Sequence, residues 1–170
     1  KDNALAVLSP YLHLTENEKE DLIIIPIDSI NESYIYYKPH HPNSLDWKGN
    51  LKNLKGLRFG TIKGDRVKKY QQAGISIKTT RIDNLLKRLV ANEIDFIRLP
   101  TIVSNSYINK HFPTQKNNFE IMQTSAGTMS LAIIFNKKHT KGQEMADKFK
   151  QGLKILIQGG QFQQIKSQYF

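Results

Sequence analysis

The sequence of 170 residues has no cysteine and only one tryptophan. Lack of cysteine excludes disulfide scaffolds, thiol nucleophiles and cysteine-based zinc sites, and leaves the compartment open, since exported proteins also do without it. Long apolar runs are missing too. The longest, Leu22 to Ile27, is interrupted by Pro26 and falls far short of the ~20 residues that a membrane-spanning helix needs. Acidic residues are scarce, 15 against 25 Lys and Arg, for a formal net charge of +10. That balance invites a nucleic acid or an anionic surface as partner. Its distribution argues against both, because residues 137–170 carry seven Lys against Glu144 and Asp147 at positions that alternate with apolar helical ones, as on a solvated face. No aromatic-interleaved basic stripe accompanies them, so no nucleic acid is expected as partner. The start, Lys1-Asp2-Asn3, leads into an alternating apolar stretch without a separate charged leader and does not read as a cleavable signal. What is present suffices for a core. The hydrophobic share of 39 % is well above that of a disordered chain, and the length fits one domain or a compact two-lobed unit.

Between Leu57 and Leu99 the period of the hydrophobic pattern alternates between that of a strand and that of a helix. Leu57 to Ile62 reads as a strand, and Gly64-Asp65 as the start of a short helix ending near Ala73-Gly74. Ile75 to Thr79 is a second strand. Asp83 is placed to cap a helix with Leu85, Leu86, Leu89 and Val90 on one stripe, and Asn92 sits where a left-handed C-terminal residue belongs. Ile94 to Leu99 is a third strand. This order predicts a parallel α/β sheet with ligands beyond the C-terminal strand ends. On the flanks, residues 4–8 read as a strand, Thr15 to Asp21 as a helical turn, Ser33 to Tyr37 as extended, and Pro39-His40-His41-Pro42 as a linker. Phe119 to Gln123 is followed by a break at Ser125-Ala126-Gly127 and a strand from Leu131 to Phe135. Met145, Phe149, Leu153 and Leu156 then form a helical stripe, Gly159-Gly160 stops it, and Phe162, Ile165 and Tyr169 mark a second short helix.

Leu54-Lys55-Gly56 followed by the strand to Ile62 and Gly64 resembles the opening of the second lobe in bacterial extracellular solute-binding proteins, family 3. Leu86 to Phe96, with Asn92-Glu93-Ile94-Asp95, is similar to that family's helix-to-strand segment. Ala132 to Lys137 resembles its return strand, and Ile157-Gln158-Gly159-Gly160 through Ile165-Lys166-Ser167-Gln168-Tyr169 its closing helix. The resemblance implies a type II periplasmic-binding-protein-like (Venus flytrap) α/β fold of two lobes, with the beginning of the first lobe lacking a counterpart in this chain. The lobes would be residues 1–40 as a partial lobe one, 41–128 as lobe two, and 129–170 as the return strand and C-terminal helices of lobe one. The crossing strands would lie near Tyr34 to Lys38 and Leu131 to Phe135. It further implies a monomeric, exported, periplasmic protein that captures a solute in an interlobe cleft and hands it to an ABC-transporter permease, without cofactor and without catalysis.

Family members that take amino acids use an Arg for the ligand carboxylate and an Asp for its amine; here Glu18 and Pro100 stand at those places. Without those charge-assisted contacts, standard amino acids are not expected to bind. Thr15 and Glu18 also have the spacing of a capping box, which accounts for them structurally. Candidate ligand-binding residues are Tyr11 and Thr15 in the first lobe and Asp65, Arg66, Thr80, Arg98 and Thr101 in the second. Arg66, between a strand and a helix start, suits an anion, although Asp65 as a helix cap would occupy that place. Arg98 is a charge within an apolar strand close to its C-terminal end; its structural alternative is a pair with Asp95 or Glu93. Thr80 and Thr101 follow strands, and Tyr11 with His13 would form an aromatic wall. His40 and His41 lack a third ligand at suitable spacing, so no metal site is expected. No set of nucleophile, base and orienter is present. The expected ligand is a small polar solute, anionic or rich in carbonyls. The alternatives are the ligand-sensing domain of a signalling protein and a dehydratase-like enzyme on the same fold, for which Glu18 is the one acid candidate.

Overall fold

The computed structural model describes residues 5–9 and 16–169. Tyr11, His13 and Thr15 lie outside these residues. The elements are β1 (Ala6–Ser9), α1 (Glu16–Glu20), β2 (Leu22–Tyr37), β3 (Arg58–Ile62), α2 (Lys68–Gln72), β4 (Ser76–Thr80) and α3 (Ile82–Val90). They continue with β5 (Phe96–Pro100), α4 (Thr101–His111), β6 (Phe119–Ile121), β7 (Gly127–Asn136), α5 (Gly142–Gln158) and α6 (Gln161–Tyr169). Two compact units result: the chain up to Ile30 together with Met129 onward, and Asn31–Thr128. The long strand β2 runs from the first unit into the second. Among the described residues no helix is long and apolar enough to cross a membrane.

In the second unit β3 pairs in parallel with both β4 and β5, and β2 joins β5 antiparallel, with Tyr34 opposite Arg98 and Glu32 opposite Pro100. A short β6 flanks β2 on its other side. Alternation of side chains along these strands builds two cores. Ile35, Tyr37, Ile97 and Leu99 face Leu85, Leu86 and Leu89 of α3 and Ile108 of α4. Tyr34, Tyr36, Phe59 and Phe96 face Tyr70 of α2. Helices on both faces follow from right-handed crossovers, since β3 to β4 and β4 to β5 run in opposite directions along the sheet. The order therefore reverses between β3 and β5. Gly60 permits this packing: a Cβ there would meet Ile94 Cδ1 at 2.2 Å.

In the first unit β7 lies between β1 and β2. Met145, Ala146, Phe149 and Leu153 of α5 cover Ile23, Ile25, Ile133 and Phe135. A buried Gly142 starts α5 directly against the end of β7, where any Cβ would stand 1.9 Å from the Asn136 carbonyl.

Several local expectations are corrected. The helix expected from Gly64-Asp65 starts at Lys68 with Val67 before it and no side-chain cap, because Gly64 takes a positive φ of 98° and the Asp65 carboxylate turns back onto the Thr61 hydroxyl. Asp83 sits inside the first turn of α3 rather than capping it, since the extended residue is Arg81. The stretch expected to be a linker forms a one-turn 3-10 helix, Lys38–His40, with Pro39 at its start, and lies inside the second unit. It is anchored there by the contact of His40 Nε2 with the Val90 carbonyl at 3.0 Å. The strands pass between the units at Ile30/Asn31 and Thr128/Met129, earlier in β2 than the Tyr34 to Lys38 expected.

Candidate functional site

The reversal of strand order falls at the C-terminal ends of β3 and β5, the place where open α/β sheets bind ligands. One face of the sheet changes character as it approaches that end. It is aromatic at Tyr36, Phe59 and Phe96 and becomes polar at Thr61, Arg98 and Glu32, which alternation places on the same side. The boundary is a buried pair of hydroxyls, Tyr34 and Tyr70, 3.0 Å apart, and burial pushes both phenols above the ordinary tyrosine range.

Arg98 forms the centre of this polar end. Its Nε lies 3.5 Å from Glu32 Oε1, and the two side chains are only 20 % and 11 % exposed. It donates no hydrogen bond to a described residue, and its five N–H groups have Glu32 as ion-pair partner and keep some contact with water. Burial pulls its pKa down, and the nearby Tyr70, Glu32, Tyr34 and Asp65 more than offset this, leaving the guanidinium more firmly charged than usual. The Lys69 ammonium lies 5.1 Å from the centre of the Tyr70 ring. Desolvation first and the field of Arg98 second lower its pKa, against the opposing pull of Glu32. Asp65 accepts from the Thr61 hydroxyl at the end of β3.

Of the residues expected to contact ligand, Asp65 and Arg98 are brought into one cluster. Arg66 is exposed in the turn before α2. Thr80, opposite Ile62 in β4, falls on the other face by alternation. The Thr101 hydroxyl is engaged by Ser33 Oγ at 2.7 Å and the Asn31 carbonyl at 3.3 Å. Neither threonine joins Arg98. The partners suggested for Arg98 are otherwise occupied: Asp95 accepts from the backbone N–H, Nε and Nη2 of Arg58, and Glu93 pairs with Arg88 at 3.2 Å. Glu32, Tyr34, Lys69 and Tyr70 were not expected in the site. A signal for Glu32 was present, since an acid two residues before Tyr34 in an extended segment must share its face.

No protein-family model matches the chain, and no curated protein matches it. Solved structures do. An ancestral arginine-binding protein bound to arginine superposes with a TM-score of 0.68 at 20% identity over 92% of this chain and 68% of its own. The fold is that of the type II periplasmic binding proteins. The substrate-binding protein of an amino acid ABC transporter is similar to it at a TM-score of 0.69, with 14% identity over 98% of this chain and 70% of that one. A histidine kinase sensor domain with similarity to periplasmic binding proteins matches at 0.71, with 15% identity over 98% of this chain and 68% of its own. This type II chain thus spans about two thirds of the length of these neighbours, and its polar strand ends lie in the second unit.

Proposed function

We propose that the chain binds a small polar solute, anionic or rich in carbonyls, at the strand ends of its second unit, with Arg98 as the main ionic contact. The observation that carries this reading is the Arg98 guanidinium, four-fifths buried at the switch point of the sheet, held by an ion pair with Glu32 at 3.5 Å and donating no hydrogen bond to a described residue. Desolvating such a group is costly unless something accepts from it, and a solute oxygen there would do so. The wider role is capture of the solute outside the cytoplasm by a monomeric, exported protein that delivers it to an ABC-transporter permease, binding it without turnover. The transporter-associated neighbour supports that role, and the similarity to a sensor domain supports a second one, in which occupancy of the same site is a signal. The two units would be the second lobe and part of the first.

A thermal-shift screen of small polar solutes at millimolar concentration tests the reading. Binding at one hundred times the dissociation constant adds about 2.7 kcal/mol, enough to raise the melting temperature by several degrees. At least one solute should do so. Free Gly, Glu, Gln, His, Arg and Lys should not, because Glu18 and Pro100 stand where the amino-acid anchors would be; stabilisation by any of them would show that the anchors lie elsewhere.

A further inference from the structure

We infer that the solute is electrically neutral and presents a hydrogen-bond donor beside an acceptor, as a primary amide, a lactam or a ureide does. This rests on the reading of Arg98 as a ligand contact and narrows it from anionic or carbonyl-rich to carbonyl-rich. The reason is the charge already in place. Arg98 faces Glu32 at 3.5 Å, and the groups whose fields act on Arg98 and Lys69 are Glu32 and Asp65 together with the two phenols. Among the described residues the cluster holds two cations and two carboxylates, so it has no net charge to offer an anion.

A carboxylate or phosphate approaching Arg98 comes equally close to Glu32. It must displace that side chain into a buried environment without its partner or accept a like charge beside it, and both are expensive. A neutral C=O next to an N–H avoids this cost, since the oxygen accepts from the guanidinium while the N–H donates to Glu32. Each charge keeps its counter-charge and gains a direct hydrogen bond to the solute. Glu32 is then a specificity-determining residue that rejects anions from an arginine that would otherwise attract them.

Titration of the intact protein by NMR, following the Arg98 Nε–H resonance, tests this with defined probes: succinamide and hydantoin as neutral donor–acceptor solutes and succinate as the matched dianion. The expected result is that the neutral probes shift Arg98 Nε–H at concentrations at least about tenfold below succinate, equivalent to roughly 1.4 kcal/mol. In Glu32→Gln the preference should reverse, with succinate binding more than tenfold tighter than to the wild type. Tighter binding of succinate than of both neutral probes to the wild type, with Arg98 Nε–H shifting, would overturn the neutral class and leave the site intact. No movement of Arg98 Nε–H with any probe would overturn the site itself. Should Glu32→Gln fail to fold, the wild-type comparison decides alone.

Discussion

Arg58 and Arg98 lie in neighbouring strands and are used in opposite ways. Arg58 is nearly saturated: its backbone N–H, Nε and Nη2 reach Asp95, and Nη1 and Nη2 reach the carbonyl and side chain of Asn92, which holds a left-handed φ of 56°. Arg98 is left with donors to spare. Asp95→Asn should therefore cost about 2 kcal/mol, the value of charge-assisted bonds to a partner still partly in water, as read by denaturant unfolding. The pH dependence has a definite sign. Burial raises the Asp95 pKa, and the bonds from Arg58 with the nearby His41 outweigh this, leaving it below the ordinary carboxylate value. The unfolded chain then binds the extra proton, so this stabilisation is present above about pH 4 and is lost as pH falls through the folded pKa. The stability gap between wild type and Asp95→Asn should narrow below about pH 4; a gap that stays constant down to pH 2 would contradict the pairing. Legibility in the sequence divides along the same line. A charge inside an apolar strand marked Arg98 as unusual, whereas its partner depended on which strand lies beside β5, a long-range pairing that local pattern does not encode.

At the scale of elements, the alternating core of the second unit was readable because period and punctuation agree: β3, β4, α3 and β5 all lie within a residue or two of their expected places. The start of α2 was not, since Asp65 satisfies its carboxylate on Thr61 instead of on a helix N-terminus. β2 was read only from Ser33 because Pro26, Asp28 and Asn31 interrupt its apolar pattern, although the strand continues through them. Two glycines test how elements meet. At Gly142 an added methyl would collide with a backbone carbonyl at 1.9 Å, and at Gly60 with the terminal methyl of the buried Ile94 side chain at 2.2 Å, which can rotate where a backbone carbonyl cannot. Gly142→Ala should accordingly destabilise more than Gly60→Ala, by about 3 kcal/mol against about 1 kcal/mol, in thermal or urea unfolding. Equal losses would mean that α5 does not abut β7 as described.

At the scale of the whole molecule, the largest fully buried side chains, among them Tyr34, Tyr36, Tyr70, Phe59 and Phe96, belong to the second unit, while the end of α5 and α6 expose Ile155, Ile157 and Ile165. Hydrogen exchange should therefore be slowest in β2 from Ser33 onward, β3 and β5, and fastest in α6; uniform protection along the chain would contradict this ordering. A rigid second unit is what the proposed function needs, because a buried guanidinium can select a solute only if the strands beneath it hold still. The most direct test is the affinity of Arg98→Gln for whichever solute stabilises the wild type, measured by calorimetry beside the melting temperatures of the two proteins without solute. The account predicts a tenfold to hundredfold loss of affinity, the roughly 1.5 to 3 kcal/mol of a buried charge-assisted bond. Unchanged affinity together with a lowered melting temperature would make Arg98 a structural partner of Glu32 and contradict the site.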